Sequence, residues 1–171
     1  KKTGAEKVNV IAHSKGGIDM RYAIAHLGAA PMVASLTTIN TPHNGCIYAD
    51  YWIKKLPMHF VKSVTRTYNT IAERAGDERP DFLAAIKDLT APACAERNKS
   101  MPQPEGILCQ SVGSRLNRAR GGRFPMNVSY HFTKHFDGPN DGLVAEDSFP
   151  FGDSFTLLTV KGNRGISHCD I

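Results

Sequence analysis

At 171 residues the chain is long enough for one domain with a sizeable core, and its 41% hydrophobic and 22% charged content excludes a disordered or fibrous class. The formal charge of +5 invites an anionic partner, yet Lys and Arg are scattered except for a modest cluster at Arg115, Arg118, Arg120 and Arg123, which reads as a solvated loop. Aromatic residues do not interleave with basic ones as a nucleic-acid surface requires, and no apolar run approaches the roughly 20 residues that span a bilayer.

In chain order, Val8–Ala12 reads as a buried strand and Gly16–Leu27 as a helix, with Met20, Ala23, Ile24 and Leu27 at helical spacing and Gly28 as its stop. Val33–Ile39 is a second strand, closed by the turn-rich Asn40-Thr41-Pro42-His43-Asn44-Gly45. Strand, helix and strand in succession predict a right-handed parallel crossover. From Cys46 to Gln110 the character changes. Tyr51, Trp52, Ile53, Leu56, Met58, Phe60 and Val61 form an apolar stretch, helices are expected around Thr67–Ala75 and Asp81–Leu89, and Pro92–Pro104 reads as a loop. A connection this long is unusual in α/β folds, so 46–110 is expected to be an inserted helical cap. The aromatic stretch reads either as core or as an apolar cover for a site. Two further strands are predicted at Asn127–Thr133 and Ser154–Val160.

The chemistry centres on Ala12-His13-Ser14-Lys15-Gly16. A small–x–Ser–x–small pattern between strand and helix is the signature of a sharp turn that holds a serine hydroxyl clear of the backbone. Small flanking residues, with Gly16-Gly17, leave room for strand and helix to approach. The helix start directs N–H groups, Lys15's among them, to where an oxyanion would form. A serine nucleophile needs a base, and the base needs an acid to orient it. In chain order after the serine, two loops qualify: Gly138-Pro139-Asn140-Asp141-Gly142-Leu143-Val144 and Gly165-Ile166-Ser167-His168-Cys169-Asp170. Both are expected just past strand ends, where open α/β sheets build their sites. Asp137 and Asp147 rival Asp141. His13, His26, His43, His59, His131 and His135 rival His168; of these, His13 reads as packing beside the serine, and His131 and His135 as structural residues on or just past a strand. Cys46, Cys94, Cys109 and Cys169 lack metal-type spacing; a Cys94–Cys109 disulfide and free thiols are both open.

The segments VNVIAHSKGGIDMRYAI, TTINTPHNG, GPNDGLV and ISHCDI resemble the C-terminal part of bacterial triacylglycerol lipases and esterases of the α/β-hydrolase superfamily. The resemblance implies an α/β fold, a mostly parallel sheet flanked by helices with an inserted cap. It further implies Ser14 as nucleophile, Asp141 as acid, His168 as base and the Lys15 backbone N–H as an oxyanion donor. Residues 1–171 then form a partial α/β-hydrolase domain whose N-terminal strands, with the family's second oxyanion donor on a loop often of H-G type, have no counterpart here. Ala12 stands where Gly is commoner. Asp170 resembles a calcium ligand of some lipases, but a single carboxylate is far short of a calcium cage, so neither metal nor cofactor is expected. The expected partner is a lipid or other apolar ester, with transient contact at a membrane or lipid interface, and secretion from a bacterium is favoured over the cytoplasm. An acyltransferase using the same triad and a non-catalytic binding domain of the same fold are the alternatives.

Overall fold

The computed structural model describes residues 4–55, 61–62, 65–66, 69–70, 73–74, 76 and 78–171, without the side chain of Trp52. Four parallel strands, β1 (Val8–His13), β2 (Val33–Ile39), β3 (Leu108–Ser114) and β4 (Ser154–Leu158), lie in the order β1-β2-β3-β4. The register runs Ile11 beside Thr37, Thr37 beside Gln110, and Gln110 beside Ser154. Parallel neighbours require crossovers. These are α1 (Lys15–His26) between β1 and β2, then α2 (Ile47–Lys55), α3 (Phe82–Asp88) and α4 (Ala91–Ser100) between β2 and β3, and α5 (Met126–Phe136) between β3 and β4.

One face of the sheet carries the main core. Ala12, Leu36 and Cys109 pack with Ile24 of α1, Val33 and Ile107, and Phe151 closes the rim. A second cluster joins Cys46, Tyr48 and Ala49, at and near the start of α2, to Val144 and Phe149, and a third joins Ile18 of α1 to Cys94 and Met101. Beta1 is less buried than its apolar sequence suggests. Among the described residues it pairs with β2 alone, and Val8 and Ile11 are 49% and 73% exposed.

Several other expectations are corrected. Residues 127–133 are helical, not extended. Val128, Tyr130 and Phe132 alternate as in a strand, but the positions that bury are Tyr130 and Thr133, three apart on one helical face. His131 and His135 therefore ride on α5. Pro92 does not open a loop; it occupies the first turn of α4, where its missing N–H costs nothing, and good helix formers follow it. Beta3, for which no strand was expected, sits in mid-sheet. Its polar and glycine-containing sequence buries Cys109, Ser111, Gly113 and Ser114, and its start at Leu108 ends the expected insertion short of residue 110. All four cysteines are free thiols. Asp81 caps α3 by accepting from the Ala84 N–H at 2.9 Å. The helix expected at Thr67–Ala75, and Leu56, Met58, His59 and Phe60, lie wholly or in part outside the described residues.

Candidate active site

Ser14 occupies the turn between β1 and α1 with φ 54° and ψ −134°, a strained conformation for a residue with a side chain. The strain is held from both sides: the Ser14 N–H donates to the Ile39 carbonyl at 2.9 Å, and the Ser14 carbonyl accepts from Gly17 at 3.1 Å. Gly17 lets helix and loop meet, since a Cβ there would fall 2.2 Å from the Thr41 hydroxyl. Gly16, by contrast, faces open space, so the close approach belongs to the second glycine of the pair. Lys15 is the first helical residue, and its N–H has no acceptor within the helix.

Asp141 and His168 come to this turn from the two expected loops. The His168 Nε2 lies 2.9 Å from the Ser14 Oγ, and its Nδ1 lies 2.6 Å from the Asp141 Oδ2. A carboxylate only accepts at neutral pH, so Nδ1 carries the proton and Nε2 presents its lone pair to the serine hydroxyl. Asp141 is fully buried. Its other oxygen accepts from the Leu143 and Val144 N–H groups at 2.9 and 2.8 Å, and its own carbonyl accepts from the His168 N–H at 2.9 Å. Gly142, at φ +102°, makes the turn, and the Asn140 side chain accepts from its N–H. The loop follows α5 rather than a strand. It still reaches the C-terminal end of β3, because the Leu116 N–H donates to the Asn140 carbonyl at 2.9 Å.

The rivals have other partners. Asp137 caps α2 from outside, accepting from Ile47 and Tyr48 at 2.8 and 3.1 Å, and burial raises its pKa against the effect of those bonds. Asp147 meets Asn44 through its backbone carbonyl. Asp170 braces the histidine loop, accepting from the Ser167 N–H and hydroxyl at 2.9 and 2.8 Å, and those bonds lower its pKa. His13 donates from Nε2 to the His168 carbonyl at 2.9 Å, its ring 4.8 Å from that of His168. Burial first, and then the neighbouring imidazole, lower its pKa. His43 is buried between Arg21, 3.1 Å from its Nδ1, and the Thr38 hydroxyl, 2.9 Å from its Nε2. Burial, reinforced by the Arg21 charge, pushes the His43 pKa down to about 3. These roles of His13, His43 and Asp137 were not legible in the sequence.

A cleft of about 240 Å³ opens beside the Ser14 turn, lined by Lys15, Ile18, Asp19, Tyr22, Asp88, Leu89 and Arg97. Lys15 pairs with Asp19 at 2.6 Å, and Arg97 with Asp88 at 3.0 Å, so the cleft walls are polar as well as apolar. Tyr51 of α2 is 45% exposed and its ring lies 4.7 Å from that of Phe136.

Residues 1–78 match the family model described as "Putative serine esterase (DUF676)". The chain is 37% identical over 107 residues to a triacylglycerol lipase of Pseudarthrobacter phenanthrenivorans, a match covering 58% of this chain and 33% of that protein. It is 31% identical to a triacylglycerol lipase of Vibrio cholerae over 98% of this chain and 58% of the relative. The chain thus spans between about a third and somewhat over half of these relatives. Among solved structures, a metagenomic carboxyl esterase superposes with a TM-score of 0.70 at 15% identity over 98% of this chain and 47% of its own. The Staphylococcus hyicus lipase superposes with a TM-score of 0.65 at 18% identity over 95% and 62%. Strand order, the Ser14 turn and these likenesses together give the chain the α/β-hydrolase fold, similar in sequence to triacylglycerol lipases and in fold to lipases and esterases.

Proposed function

We propose that the protein hydrolyses carboxylic esters of lipids or similar apolar acyl groups through a Ser14–His168–Asp141 triad. The observation that carries this reading is the continuous chain of contacts from the Ser14 Oγ through both nitrogens of His168 to a fully buried Asp141. The strained φ at Ser14 supports it, because such strain persists where function requires it.

In this reading the Ser14 Oγ attacks the ester carbonyl as His168 Nε2 takes its proton. The new C–O bond places negative charge on the carbonyl oxygen, which the Lys15 N–H meets at the positive end of α1. Asp141 steadies the imidazolium. His168 then returns the proton to the departing alcohol, and an acyl-serine remains. Water, deprotonated by the same nitrogen, releases the acid and restores Ser14.

The test is a fluorophosphonate probe and a p-nitrophenyl ester, applied to the wild type and to Ser14→Ala. The wild type should label on Ser14, and the variant should neither label nor turn over ester above a rate several orders of magnitude lower. Near-normal turnover in Ser14→Ala sinks the assignment; an unlabelled wild type favours a binding domain. Release of free acid, rather than a new ester with added alcohol, separates hydrolysis from acyl transfer.

A further inference from the structure

The stretch from Arg115 to Phe136 holds no Asp or Glu, yet it contains Arg115, Arg118, Arg120, Arg123 and Lys134. Among the described residues, ion pairs engage Arg115 with Glu146 at 3.2 Å and Arg164 with Asp170 at 3.6 Å, but not Arg118, Arg120 or Arg123, all of which are exposed. Apolar groups stand directly beside them. Phe124 is 81% exposed, Pro125 is exposed, and Val128, on the first turn of α5, is 50% exposed. A lone surface phenylalanine or a solvated arginine needs no explanation. Here three arginines outside those pairs and an apolar tip share one short acid-free segment. That combination suits a surface offering phosphate charge at the depth of the guanidiniums and hydrocarbon just beneath.

The patch also sits at the working end of the molecule. Gly121 approaches the histidine loop so closely that a Cβ there would fall 1.8 Å from the Arg164 carbonyl oxygen. A Cβ on Gly142, beside Asp141, would lie 2.9 Å from the Cβ of Met126, and the Ser129 hydroxyl donates to the Gly142 carbonyl. Both catalytic loops therefore lean on the element that bears the patch.

We propose that the exposed face formed by Arg118, Arg120, Arg123, Phe124 and Val128 is a docking surface for anionic lipid, seating the Ser14 end of the protein at a charged interface. The proposal rests on the ester-hydrolase reading only for the idea that substrate is drawn from that interface.

Co-sedimentation with phosphatidylcholine vesicles, with and without about a third phosphatidylglycerol, tests it. The wild type should bind the anionic vesicles, lose that binding as salt rises, and bind pure phosphatidylcholine far less. Each arginine near an anionic surface is worth roughly fivefold in affinity, so Arg118→Gln with Arg120→Gln and Arg123→Gln together should weaken binding on the order of a hundredfold. Phe124→Ser should weaken it by about tenfold or more. Turnover of a soluble short-chain ester and far-ultraviolet circular dichroism should be unchanged in these variants. Ser14→Ala should bind vesicles like the wild type, so failure of the catalytic reading and failure of this one are distinguishable. Equal wild-type binding to neutral and anionic vesicles, or unchanged binding by the triple variant, overturns the proposal. So does a self-associated chain that the triple variant turns monomeric while vesicle binding is absent throughout.

Discussion

Three aspartates, Asp137, Asp141 and Asp147, lie just beyond α5, and their surroundings, not their spacing, separate their roles. Asp141 is fully buried against His168, whereas Asp137 spends both oxygens on the start of α2. Asp141→Asn should cost about ten-thousandfold in ester turnover, because the acid no longer fixes the histidine tautomer. Asp137→Asn should instead lower stability by about 1 kcal/mol, the worth of a helix cap, with turnover kept within about tenfold. Kinetics with urea titrations on both variants, and on Asp147→Ala as a neutral control, check the assignment; a catalytic collapse in Asp137→Asn would reverse it. His13 is the less visible residue. Its donation to the His168 carbonyl and the Asp141 carbonyl's acceptance from the His168 N–H hold the backbone on both sides of the His168 Cα. His13→Phe keeps a ring but loses the donor, so kcat should fall about tenfold with KM little changed, and His13→Gln should restore part of it. A variant whose KM alone rises would place His13 in substrate binding instead.

At the scale of elements, the buried Arg21–His43–Thr38 group ties α1, the loop after β2 and the end of α4 together. Arg21 bonds His43 and the Met101 carbonyl at 2.8 Å, its guanidinium carbon lies 4.2 Å over the Phe151 ring, and the Asn98 side chain holds the His43 carbonyl at 2.9 Å. A cation beside a buried imidazole requires that imidazole neutral. The folded-state pKa of His43 is about 3 against an ordinary 6.5, so the unfolded chain binds the proton more readily. The stabilisation is fully present above pH 6.5 and is lost as pH falls toward 3, by a few kcal/mol in all. Urea midpoints of the wild type and His43→Gln should therefore differ most near pH 7 and converge toward pH 4. Parallel loss in both would assign the acid sensitivity elsewhere.

The same scale explains what was readable beforehand. Beta1, β2, β4, α1 and α3 carry their own signals in short windows: an apolar run, helical spacing, a Gly stop, an Asp cap. Alpha5 misled because Val128 and Phe132 stay exposed beside buried Tyr130, so the apolar residues visible in the sequence are not the ones the helix buries. Beta3 was silent because its inward positions hold Cys109, Ser111 and Gly113. Ser14 and Asp141, which the fold brings to either side of His168, stood out in the sequence because turn chemistry at both is local. The contacts of His13, His43 and Asp137 were not, because each partner lies far off in the chain or is reached only through the tertiary fold.

For the molecule as a whole, the monotonic strand order has a temporal meaning. The Ser14 hydroxyl and the His168 imidazole that faces it are 154 residues apart, one at the end of β1 and the other beyond β4. Chains emerge from synthesis N-terminus first, so the Ser14 turn is made well before the imidazole that faces it. Contacts of such separation also form late in folding, after the intervening crossovers have closed. In the proposed reading a chain still lacking His168 is inert toward esters, and turnover requires β1 to β4 to be in place between the two residues.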